Sequence, residues 1–98
     1  MIKPTVGRVV WFIPKESSHS FGFSVNAGKE HAAVVAYVHS DTCVNLSVID
    51  ANGNHFCRTS VQLVQEGEKV PEWDHCRWMP YQIGQAKAQQ AEQVKVAA

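Results

Sequence analysis

Neither sign of charge is in excess in this sequence: nine Lys and Arg balance nine Asp and Glu over 98 residues. A chain that coats DNA or RNA normally carries a basic surplus, because phosphate neutralisation dominates its affinity. Nucleic acid is therefore the less favoured main ligand. Cysteine is sparse: Cys43, Cys57 and Cys76 are odd in number and lack paired spacing, which argues against a disulfide framework. No C-x2-C or H-x3-H pair marks a zinc site, so no metal or cofactor is expected. A phosphate loop, a dinucleotide-binding glycine fingerprint and a nucleophile elbow are also missing. No apolar run approaches the roughly 18 residues of a membrane span. The opening MIKPTVGRVVWFIP reads as a strand running into Pro14, not as a signal peptide. A soluble cytoplasmic protein with reduced thiols is expected.

What remains is a β pattern. Val6 to Ile13 is rich in β-branched and aromatic residues and ends at Pro14. Lys15 to Glu30 has the Ser, Gly and Asn content of a loop, yet Phe21, Phe23 and Val25 alternate inside it as in a short hairpin. His31 to His39 and Cys43 to Asp50 read as strands joined by a tight turn. Ala51-Asn52-Gly53-Asn54 then marks a hairpin, with Asn-Gly supplying the positive φ angles of a primed turn. The return strand spans His55 to Val64. Strict alternation puts Cys57, Thr59, Val61 and Leu63 on one side, and Arg58, Ser60 and Gln62 on the other. Gln65 to Glu72 reads as loop, and Trp73 to Trp78 as a last short strand.

Five short strands with one long first loop predict a mainly β fold. The layout suggests a small SH3-like five-stranded barrel or curled antiparallel sheet, with an OB-like or open-sheet arrangement as runner-up. The barrel domain covers 1–81. The tail, 82–98, is rich in Ala, Gln and Lys and reads as helical or flexible, frayed near Ala98; Pro80 suits a first helical turn.

Asp74, His75 and Cys76 are neighbours, and in a strand adjacent side chains point to opposite faces, so they form no relay. No catalytic residue is assigned. Asp41 and Asp50 suit turn-organising roles. Two clusters suit binding. His39, Asn45, Ser47 and Arg58 fall on the more polar faces of adjacent strands as a patch, and Thr59 is a further polar candidate for holding a nucleotide-like ligand. Trp73, Trp78, Met79 and Tyr81, with Gln82 and Gln85 following, combine aromatic area with polar handles where the last strand gives way to the tail, and Trp78, Tyr81 and Gln82 are the binding candidates among them.

At YVHSD, VNLSVIDANGN, RTSVQLV and WMPYQIGQA the sequence resembles a family of small uncharacterised phage and prophage proteins, over about residues 3 to 86. The resemblance implies a viral protein made inside a bacterial cell and dispensable for virion structure. It carries over no catalytic residue. Trp78-Met79-Pro80-Tyr81-Gln82 is also similar to a stretch in phage anti-defence proteins that sequester signalling nucleotides, although Tyr81 stands where that pattern has Ser. The expected function is non-enzymatic binding of a host protein, or of a second copy of the chain. A sponge for a nucleotide-like ligand and a nucleic-acid-binding module are the alternatives.

Overall fold

The β-branched and aromatic runs form strands where alternate residues can be buried against one shared interior. The computed structural model describes residues 1–97, with side-chain detail through residue 89. Its elements are β1 (Val9–Ile13), β2 (His31–Ser40), β3 (Cys43–Ile49), β4 (His55–Val64), β5 (His75–Arg77) and α1 (Pro80–Ala97). Consecutive strands β1 to β4 pair antiparallel; β5 returns antiparallel to β1 and closes the barrel by a short parallel pairing with β4. This meander order is that of a small SH3-like barrel and differs from the Greek-key path of an OB fold. Val10, Phe12, Val35, Val44, Leu46, Val48, Leu63 and Cys76 are fully buried inside it. Among the described residues no helix is long and apolar enough to cross a membrane.

Three boundaries differ from the sequence pattern. β1 starts at Val9 because Gly7, at φ 95°, turns the chain just before it. The last strand is confined to His75–Arg77. The helix starts two residues before the expected tail, at Pro80. Gln82 caps that helix: its Oε1 accepts the Met79 N–H at 2.8 Å, the reciprocal half of a capping box. Its Nε2 donates to the Val9 carbonyl at 2.7 Å, which pins the first turn to β1. Ile83 packs on the core from the same turn. The fraying expected near Ala98 lies outside the described residues.

The hairpin forms where expected, but its turn is of another type. Gly53 donates its N–H to the Asp50 carbonyl at 3.1 Å, and of the turn residues Gly53 alone has positive φ, 84°. The connection is therefore an ordinary turn from Asp50 followed by a left-handed glycine, the usual three-residue alternative to a primed turn.

The alternation expected in β4 also breaks. Leu46 pairs with Arg58 and Val44 with Val61, so β4 uses three steps where β3 uses two. The extra residue is a β-bulge at Thr59-Ser60, with Ser60 at φ 52°. Val61 and Leu63 are buried, whereas Cys57 and Thr59 are exposed, which corrects their grouping on one face. Before the bulge the inward residues are Phe56, packed on the core, and Arg58, opposite buried Leu46.

Candidate functional site

The bulge, the long first loop and the start of β5 meet at one end of the barrel. β5 pairs with β4 only from Gln62 to Val64, so the first part of β4 has β3 on one side and no strand on the other. The gap is a groove of about 690 Å³. Phe12 lies at its floor, with Phe23 and Phe56 above; Phe56 meets both edge-on, at centroid distances of 6.4 and 6.0 Å. Trp73, 60% exposed, stands on the β5 side, its indole N–H donating to Gln62 Oε1 at 3.1 Å. Arg58 lies over the Phe56 ring at 4.6 Å and donates to its neighbour's carbonyl, Cys57 O, at 3.0 Å.

The loop wall is built by local backbone chemistry. Ser18 and Val25 exchange backbone hydrogen bonds at 2.9 and 2.8 Å, forming the small hairpin that the Phe alternation suggested. Phe23 donates to the Ser20 carbonyl at 3.0 Å, and both central residues, Phe21 and Gly22, have positive φ, at 55° and 79°. That is the signature of a primed turn. Glycine adopts it freely; for a bulky side chain a left-handed backbone costs about 1–2 kcal/mol. Phe21 receives no packing in return, being 98% exposed.

Asp50 fastens this wall to the β3–β4 hairpin. Its carboxylate accepts N–H groups from Ser24 at 2.8 Å, Asn52 at 2.9 Å and Asn54 at 2.7 Å. The side-chain amides of Asn52 and Asn54 both donate to the Gly22 carbonyl at 2.8 Å. Burial alone would raise the Asp50 pKa, but the hydrogen bonds from Ser24, Asn54 and Asn52 outweigh it and hold the group below the ordinary 3.8. The other end of the loop is held by His31, which is buried. The Asn26 N–H can only donate, so His31 Nε2 accepts it, at 3.2 Å; the proton is then on Nδ1, which donates to the Lys29 carbonyl at 2.9 Å.

A lowered native pKa means that the unfolded chain binds more protons between the native and unfolded values. Asp50 therefore contributes stability that is fully present above the unfolded value and is lost as pH falls through the native one. Acid titration of stability by circular dichroism should show this component in wild type and lack it in Asp50→Asn. An identical acid limb in both proteins would refute it.

The residues singled out from sequence fall in three places. Arg58 lines the groove and Thr59 is exposed beside it at the bulge. His39 and Asn45 are on the outer surface, joined by a 3.0 Å hydrogen bond; Asn45 Oδ1 also accepts the Ser60 N–H at 2.8 Å, so this pair braces the bulge. Their expected patch with Arg58 does not form, because the bulge turns Arg58 to the opposite face. Gln82 is occupied as the helix cap. Tyr81 is 72% exposed on α1 and accepts a hydrogen bond from Gln85 Nε2 at 2.9 Å. Trp78 is 2% exposed and packs in the core. Its indole N–H donates to the buried Gln65 Oε1 at 3.2 Å.

The neighbours Asp74, His75 and Cys76 are each engaged elsewhere. Asp74 accepts the Lys15 N–H at 2.6 Å, His75 Nδ1 donates to the Trp73 carbonyl at 3.0 Å, and Cys76 donates to Gln62 O at 3.5 Å. Burial, with a smaller contribution from nearby Cys43, pushes the Cys76 pKa up to about 12, so it remains a thiol at neutral pH. Among the described residues no three His, Cys, Asp or Glu side chains are grouped to hold a metal.

Phe21, Phe23 and Phe56 are groove residues that motif reading passed over, whereas Trp73 belongs to the aromatic cluster read from sequence. Their signal was present in part: two aromatics in a Ser- and Gly-rich loop have no core of their own to fill. Comparison with known protein families, curated proteins and solved structures finds no match to this chain.

Proposed function

We propose that this is a non-enzymatic phage accessory protein that binds a host protein, in the cytosol of the infected bacterium, through the aromatic groove. The observation that carries the reading is Phe21: a fully exposed aromatic ring on a left-handed backbone, facing a second exposed aromatic, Trp73, across a gap. Strained backbone and exposed apolar area both oppose folding, so their coincidence supports a role in binding. The phage setting rests on the sequence resemblance. Exposed interface aromatics are frequent hot spots, whose truncation typically costs 2 kcal/mol or more, roughly thirtyfold in affinity. A bacterial protein retained by the wild type should therefore be lost from Phe21→Ala and Trp73→Ala, with thermal midpoints near wild type. Retention by both variants would overturn the groove as the docking site.

A second reading, a sponge for a nucleotide-like ligand, is favoured by Arg58 alone, whose guanidinium lies beside aromatic faces and forms no ion pair among the described residues. Tight binding to the native state must stabilise it, by about 2.7 kcal/mol at a hundred times Kd. A thermal-shift panel of mono-, di- and cyclic nucleotides at millimolar concentration should then reveal a stabilising ligand; a flat panel removes this reading. Nucleic acid draws less support, since Lys15 and Arg58 in the groove are balanced by Glu16 and Asp74.

A further inference from the structure

We infer that the groove takes its partner as an extended peptide segment that adds as a strand to the free edge of β4, with a carboxylate of that segment on Arg58. The inference rests on the groove reading and specifies how the partner is held.

β4 has ten residues, and β5 covers only Gln62, Leu63 and Val64 on the side away from β3. His55 to Val61 therefore presents an edge with no strand beside it, about 20 Å long at 3.3 Å per residue. Among the described residues, no backbone hydrogen bond from the first loop or the β4–β5 connection reaches His55 to Ser60. The contact that does reach this stretch at Cys57 O comes from its own neighbour, Arg58. His55, Cys57, Arg58, Thr59 and Ser60 are all exposed. Unpaired backbone donors and acceptors in a row are a template for another strand, and proteins that do not use such edges usually cover them. Here the edge is left open beside the groove.

The surrounding side chains fit the alternation of a strand. A segment lying along the edge sends every second side chain toward the barrel. There it meets Phe23, Phe56 and Trp73, which suit apolar or aromatic residues. Arg58 is the cation on the β4 side, in no ion pair among the described residues, and complements an acidic residue of the incoming segment. The carboxylates of the groove belong to the other wall: Asp74 is bonded to the Lys15 amide, and Glu16 follows Lys15. The occupant is a single extended chain because the edge borders the groove between the Phe21 loop and Trp73, and Arg58 there calls for a carboxylate that the incoming segment brings.

The test uses the full chain and a displayed library of random linear peptides. Selected peptides should contain a conserved acidic position between apolar ones, and their affinity should fall at least tenfold in Trp73→Ala and in Arg58→Glu. Each peptide is then resynthesised with one backbone N-methyl group at a time. Strand addition predicts losses of about tenfold or more at alternate positions only, because every second N–H faces β4. That pattern supports the inference. A flat N-methyl profile in peptides that still depend on Trp73 overturns strand addition while leaving the groove reading intact. Peptides without an acidic preference, or indifferent to Arg58→Glu, overturn the assignment to Arg58. No selected peptide, or none sensitive to Trp73→Ala, removes the groove reading itself. A dimer that peptides cannot dissociate, abolished by Trp73→Ala, shows a second copy as the occupant and overturns the inference.

Discussion

Trp78→Ala should lower the stability of the folded chain by about 3–5 kcal/mol, the range for removing a large buried aromatic. Trp78 is 2% exposed and belongs to the same cluster as Phe12, Leu46 and Leu63. Two effects add. The indole volume is lost from a barrel too small to refill it. Gln65 also loses one of its partners: its Oε1 accepts from Trp78 and from the Ile2 N–H, while its Nε2 donates to the carbonyls of Ile2 and Asp41, both at 2.9 Å. Gln65 is itself buried, and its Oε1 is left with the Ile2 N–H alone. Against a typical native stability of about 5–15 kcal/mol, the variant sits near the limit of folding. Trp78→Phe separates the two effects, since it keeps most of the volume and removes only the N–H. Tyr81→Ala, three residues away and exposed, should change stability by no more than about 0.5 kcal/mol. Chemical denaturation of the three variants checks this. Equal, small losses at Trp78 and Tyr81 would show that Trp78 is not core.

This pair shows where local pattern stops being informative. Trp78, Tyr81 and Gln82 look alike as amphipathic residues before a polar tail, yet one fills the core, one is exposed and one caps a helix. What separates them is distant in sequence: the Gln65 side chain, and the Val9 carbonyl 73 positions from Gln82. Gln65 itself read as the start of a loop, and its partners at Ile2 and Asp41 lie 63 and 24 positions away. By contrast the Asn52-Gly53 hairpin and the strand periodicities were legible because turn chemistry and alternation are local. The β2–β3–β4 order followed from them, since short connections make neighbouring strands pair.

The bulge was hidden for a similar reason. Arg58-Thr59-Ser60-Val61 alternates acceptably in either register, and nothing in those four residues calls for a Ser at φ 52°. The Asn45 side-chain Oδ1, accepting the Ser60 N–H from the neighbouring strand, accommodates the extra residue. A single extra residue then exchanges the faces of everything before it. It takes Arg58 off the outer surface and delivers it to the groove, so the candidate site could be read as composition but not as place.

Asp50→Ala should open the groove wall while leaving the barrel folded. The carboxylate links three N–H groups, from Ser24 on the loop and from Asn52 and Asn54 on the hairpin, and it does so without help from a cation, since no ion pair among the described residues includes it. Removing it leaves those donors to water and releases Gly22, whose two contacts come from the same Asn52 and Asn54. The Ser18–Val25 bridge, the Gly28 N–H to Pro14 O bond, the Lys15 N–H on Asp74 and His31 still hold the base of the loop, and of the ties to the hairpin the Ala51 N–H to Ser24 O bond at 3.0 Å remains. A hydrogen bond to a charged group is commonly worth a tenfold or larger change in a local opening equilibrium. Hydrogen exchange at Ser24, Asn52 and Asn54 should therefore accelerate by about tenfold or more, while core amides such as Val35 and Leu46 keep the wild-type order of protection. Partner affinity should fall in parallel, although Asp50 itself touches no groove ligand in this account, because Phe21 and Phe23 no longer face Trp73 across a fixed gap. If exchange at Ser24 is unchanged, the hairpin is not what holds the wall. If exchange rises and affinity does not fall, the wall is held but plays no part in binding.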